Sequence, residues 1–151
     1  MKICGLLVAL LFLYPSVPLF SRSTPRIDLE IETIQIQPDR PDTGTPVVVV
    51  AGIRNLGSEE TADFSISVKV RRRDKIVKGF ENVPVLSKLP RLGSGLSVPV
   101  DIGILEEGRY QIEVAVDPDQ RVAESNEDNN RKVRSFRVWS PTYRSVTYGF
   151  R

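Results

Sequence analysis

Hydrophobic and polar residues alternate one by one over several stretches of this chain, and a period of two marks a β-strand with one buried face. In RIDLEIETIQIQP, Ile27, Leu29 and Ile31 share one face while Asp28, Glu30 and Glu32 share the other. At Thr33 the phase slips by one residue, and Ile34 and Ile36 continue the apolar face one position out. Such a slip predicts a bulge or bend. PVVVVAGIRN (Pro46–Asn55) has β-branched residues on both faces, which predicts a strand in the middle of a sheet. DFSISVKVR places Phe64, Ile66, Val68 and Val70 inward, and RRRDK (Arg71–Lys75) follows at a hairpin tip. GRYQIEVAVD alternates again through Tyr110, Ile112, Val114 and Val116, and RKVRSFRVW (Arg131–Trp139) supplies a last strand.

The middle is less regular. LSVPVDIGI (Leu96–Ile104) predicts a strand in which Pro99 demands an edge or a bulge. Before it, Gly79, Pro84, Pro90 and Gly93 predict only short edge pieces and loops. Beyond the first two dozen residues, no segment shows apolar residues at helical spacing. About seven short antiparallel strands predict an all-β, immunoglobulin-like sandwich, in which two sheets bury one face each. Within EEGRYQI, Gly108 followed by Tyr110 and Ile112 has the pattern of a tyrosine corner, where a strand-initial Tyr bonds back across the preceding loop.

The first residues follow a different rule. Lys2 precedes the apolar run Ile3–Tyr14, Pro15 and Pro18 break it, and Ser21 and Ser23 place small residues for a cut after Ser23. This is the layout of a secretory signal peptide over residues 1–23. A retained anchor would need the apolar stretch extended to Phe20 through two prolines, and contact with a membrane is expected only through that segment. Residues 24–139 then form the domain, and 140–151 a tail with Tyr143, Tyr148 and Phe150. After the cut the single Cys, Cys4, is gone, so the exported chain has no disulfide and its interior must hold it together. Losing Lys2 and Arg22 also lowers the basic residues from 21 to 19, equal to the 19 acidic ones. A nucleic-acid partner is therefore not expected.

The chain has no His, which removes catalytic triads that depend on it and, with no mature Cys, ordinary zinc, copper and haem sites. It has neither G-x-G-x-x-G nor a phosphate-binding P-loop. A carboxylate-based hydrolase would need a cleft, and only 7% of residues are aromatic to line one.

VDPDQRVAESNEDNN (Val116–Asn130) is crowded with oxygen ligands. Read as an EF-hand from Asp117, it puts Arg121 at position five, Val122 at six and Asp128 at twelve, which fails the ligand and glycine requirements. A different calcium cage would draw on Asp117, Asp119, Glu124 and Asn126. The more economical account is turn chemistry, with Val122 inward and Asn126, Asn129 and Asn130 bonding loop amides. Arg71, Arg72 and Arg73 form either a contact for anionic surface groups or a solvated hairpin tip.

With its strands laid out, the sequence resembles the CARDB family, the cell-adhesion-related domain found in bacteria. The resemblance rests on the opening strand with its proline–glycine loop and N-x-G turn, and on LEEGRYQIEVAVDPDQRVAESNEDNN, similar to a G-x-Y strand followed by D-P-x-x-x-V-x-E-x-N-x-x-N-N. It implies an immunoglobulin-like sandwich in an exported prokaryotic protein, periplasmic or extracellular, with no enzymatic activity and no cofactor. The implied role is binding a protein or a cell-surface or envelope component, through loops or an edge strand that accepts another β-strand.

Overall fold

The computed structural model describes residues 26–141. The expected signal peptide and the aromatics Tyr143, Tyr148 and Phe150 lie outside them. Seven strands are present: β1 (Leu29–Gln37), β2 (Val47–Asn55), β3 (Phe64–Arg72), β4 (Lys75–Val85), β5 (Ser94–Gly103), β6 (Gly108–Val116) and β7 (Arg131–Val138). They form a three-stranded sheet in the order β1-β2-β5 and a four-stranded sheet in the order β4-β3-β6-β7, with every pairing antiparallel. This is the expected two-layer architecture.

The phase slip in β1 is a bulge. Ile31 pairs with Ile53 and Thr33 with Gly52, so Glu32 is the extra residue, and both halves of the strand keep their apolar side chains inward. Leu29, Ile31, Ile34 and Ile36 are all buried. Thr33 packs on Gly52, where a Cβ would stand 2.4 Å from its Oγ1. Glycine at the centre of a buried strand is explained by that close approach.

The core is filled from both sheets. β2 contributes Val47, Val49, Ala51 and Ile53, and β5 contributes Val100 and Ile102. Phe64, Ile66, Val68 and Val70 of β3 and Tyr110, Ile112, Val114 and Val116 of β6 face them. Each fully buried branched side chain stabilises the fold by roughly 1.5–3 kcal/mol.

The irregular middle differs from the expectation of short pieces. β4 is an eleven-residue strand. It accommodates Gly79 and Pro84 because it is an edge strand whose register against β3 shifts twice, between Ile66 and Val68 and between Val70 and Arg71. Pro99 lies on β5, also an edge.

Basic side chains close the flanks of the sandwich. Lys132 Nζ of β7 donates to the Glu32 carbonyl at 2.6 Å, and Arg134 donates to the Ile34 carbonyl. On the opposite flank, Lys78 of β4 donates to the carbonyls of Ile102 and Ile104. These carbonyls on and beside edge strands β1 and β5 are thus engaged from the facing sheet, and β4 is bent by its bulges. All three devices blunt strand addition at the edges they occupy.

Candidate functional site

Strand direction sorts the loops into two ends. Loops 56–63, 86–93 and 117–130 gather at one end; loop 38–46, the Arg73–Asp74 turn and loop 104–107 gather at the other.

At the first end, the acidic segment is mostly occupied with itself and its neighbours. Asp117 is buried at positive φ, and its Oδ2 accepts from the Val122 amide at 2.8 Å. Val122 is buried beneath the loop. Glu124 accepts from the Leu29 amide through Oε2 and from Asn130 Nδ2 at 3.0 Å through Oε1. Burial pushes its carboxyl up to about 7, against the opposing pull of those two bonds. Asn130 also donates to Glu127 at 3.0 Å, and Asn129 donates to Asp28 at 2.8 Å. The segment therefore sews the start of β1 to the entry of β7.

The four calcium candidates do not converge as a set. Asp117 and Glu124 turn inward, whereas Asp119 pairs with Arg121 at 3.1 Å and exposed Asn126 accepts from the Asp128 amide. Among the described residues no group of three or more His, Cys, Asp or Glu side chains is placed to hold a metal. Three buried oxygens, Asp117 Oδ1, Asn129 Oδ1 and Asn130 Oδ1, accept no hydrogen bond from the described residues.

The most connected polar residue at this end is one the sequence reading left inside a turn cluster. Asn55 is fully buried. Its Oδ1 accepts from the amides of Asp28 and Gly57, while Nδ2 donates to the carbonyls of Glu59, Leu89 and Pro90. The N-x-G spacing was the available signal: the side chain of the Asn bonds the amide two residues on, as in an Asx turn.

At the other end, Tyr110 is buried and its hydroxyl donates to the Glu106 carbonyl at 3.0 Å, the geometry of a tyrosine corner. Gly108 sits at φ +155°, where a Cβ would meet Arg72 Nε at 3.0 Å. The three arginines divide. Arg72 belongs to the corner: it pairs with Glu106 at 2.6 Å, donates to the Glu107 carbonyl at 2.7 Å and lies 5.6 Å from the Tyr110 ring. It is not a free surface contact. Arg71 and Arg73 instead line the outer face of the four-stranded sheet, beside an open concavity of about 550 Å³ that Arg109 and Arg137 also line. Trp139 bonds Pro41 and Thr43 through its backbone and carries Arg137 4.3 Å above its ring, closing this end.

Comparisons with known proteins agree with this architecture. A crystal structure of the CARDB domain of a Pyrococcus furiosus protein, in complex with di-metal ions, superposes with a TM-score of 0.59 at 22% identity. The match covers 76% of this chain and 96% of that one. A solution structure of a domain of a putative cell surface protein from Methanosarcina acetivorans gives a TM-score of 0.54 at 24% identity, over 79% of this chain and 97% of the other. Both relatives are archaeal, so the likeness is not confined to bacteria. No curated protein matches the chain. The CARDB family model, a non-catalytic structural and adhesion-associated module, matches residues 26–134, and the chain belongs to that family.

Proposed function

We propose that the chain is an exported, non-catalytic interaction module that works at the cell envelope or outside the cell and binds a protein or a surface component. CARDB membership across residues 26–134 carries this reading. The apolar leader supports it: residues 1–23 have the layout of a signal peptide, 24–139 the domain, and 140–151 a tail. A chain that keeps no Cys after the cut needs no disulfide chemistry to fold outside the cytoplasm. The name of the Methanosarcina relative as a putative cell surface protein points the same way. Mass spectrometry of the protein recovered from medium and cell fractions tests the reading, with an N-terminus at Thr24 outside the cytoplasm expected. An intact Met1 terminus confined to the cytoplasm would refute it.

A second reading, a cation-dependent module, draws on the unpartnered buried oxygens of Asp117, Asn129 and Asn130. Hard, uncharged or carboxylate oxygens are the donors calcium prefers. The di-metal ions of the Pyrococcus domain make the test worthwhile. Calcium at sub-millimolar concentration should then raise the melting temperature, and chelator should reverse the rise. An unchanged melting temperature removes this reading.

A further inference from the structure

The outer face of the four-stranded sheet carries two features that cost stability, beside an Arg71 that is held by Glu113 at 3.6 Å. Arg109 of β6 lies directly opposite Arg137 of β7 in the register. Like charges in that position repel. Arg137 finds Glu107 at 3.6 Å, but Arg109 has no ion pair among the described residues. Arg73 adds a second cost. The two-residue turn between Arg72 and Lys75 holds Arg73 at φ +49° and Asp74 at φ +65°. Positive φ at both central residues defines a type I′ turn, which favours Asn-Gly and penalises a long side chain at the first position. Arg73, too, has no carboxylate partner among the described residues.

These residues converge. The register sets Arg71 opposite Gln111 and Gln111 opposite Ser135, one row inward from Arg109 and Arg137. Arg71, Arg73, Arg109 and Arg137 thus surround the open concavity of about 550 Å³, with Gln111 and Ser135 between them. Adjacent strands lie about 4.8 Å apart, so the row from β3 to β7 spans roughly 10 Å.

We propose that this cradle binds an anionic polysaccharide, with guanidinium groups on carboxylates of acidic sugar residues and Gln111 and Ser135 on hydroxyls. Arginine forks match carboxylates bidentately, and a bound carboxylate between Arg109 and Arg137 turns their repulsion into attraction. Asp74 also lines the concavity and can accept from a sugar hydroxyl. Trp139, 43% exposed beside Arg137, offers a ring at the margin for a sugar face. The recess is concave and its row of arginines is spread across strands, which suits a linear polymer of acidic sugars better than a flat bilayer.

The proposal deepens the reading of the chain as an exported interaction module, yet the two fail separately: export is read at the N-terminus, binding on the purified chain. Calorimetric titration with hexagalacturonate should show saturable binding that weakens as salt rises. A neutral hexasaccharide should not bind. Arg109→Ser should weaken hexagalacturonate binding at least fivefold, and adding Arg73→Asn at least twentyfold. Because Arg109→Ser relieves the repulsion and Asn suits positive φ, both variants should keep or raise the melting temperature. That combination separates lost contacts from lost folding. No saturable binding of hexagalacturonate, or equal affinity in the double variant, overturns the proposal. So does tighter binding of phosphatidylglycerol vesicles or of a single-stranded oligonucleotide, since either would assign the cradle to another class of partner.

Discussion

Asn55 uses both ends of its amide, and its five hydrogen bonds join the start of β1, the turn after β2 and the loop after β4. None of these partners is on its own strand. Replacing it with Ala leaves buried amides and carbonyls without partners, each costing about 1–3 kcal/mol where water does not reach. Asn55→Ala should therefore lower stability by about 2–4 kcal/mol in urea denaturation, as much as losing a large core side chain. A loss below 1 kcal/mol would mean that the three segments hold their places without it. The residue was hard to see beforehand because Asn in a polar turn cluster reads as a local turn former, while three of its five bonds span distances in sequence that only the fold closes. Glu124 escaped its role for the same reason: its Leu29 partner lies 95 residues away.

At the scale of strands, what the sequence disclosed was what depends on near neighbours. Alternation, the bulge at Glu32–Thr33 and the tight turn at Arg73–Asp74 follow from side-chain period and turn chemistry within a few residues. β2 read correctly as central because Val48 and Val50 make its outer face apolar too, although that face is only partly covered. β4 did not read as a strand, since glycine and proline lower the local preference and an edge with bulges tolerates them. The division of Arg71, Arg72 and Arg73 was also implicit in the alternation: Arg72 keeps phase with Val68 and Val70, so it turns toward the Tyr110 corner, and Arg71 turns away. The arginines that complete the cradle, Arg109 and Arg137, lie on other strands, and only the pairing of β3 with β6 and β6 with β7 brings them alongside. Lys78, Lys132 and Arg134 resemble ordinary surface charges until the facing sheet supplies the carbonyls they bond.

For the molecule as a whole, the balance of charge misleads. Residues 24–151 carry 19 acidic and 19 basic residues, consistent with a neutral surface, yet the acidic loop and the arginines around the concavity sit at opposite ends of one sandwich. The acidic end also makes global stability depend on pH in one window. Glu124, with an ordinary carboxyl value of 4.5 when unfolded, is pushed up to about 7 by burial in the fold. Below pH 4.5 both states hold the proton and the group contributes no pH dependence. Between 4.5 and about 7 the folded chain keeps a proton that the unfolded chain has released, so stability falls as pH rises; above 7 the penalty is complete. The full shift corresponds to about 3 kcal/mol, and solvent at the loop surface should reduce this to about 1–2 kcal/mol. Asp42 acts in another window, because its bond from Thr45 lowers its carboxyl below 3.8 and matters only in stronger acid. The absence of His leaves no side chain with an ordinary value between pH 5 and 8. Urea denaturation at pH 5 and pH 8 should therefore show wild type losing about 1–2 kcal/mol between them. Glu124→Gln should flatten that loss, since the amide oxygen can still accept from Leu29 and no charge is buried at either pH. An equal fall in both proteins would place the pH dependence elsewhere and remove Glu124 as the titrating link between the first strand and the last.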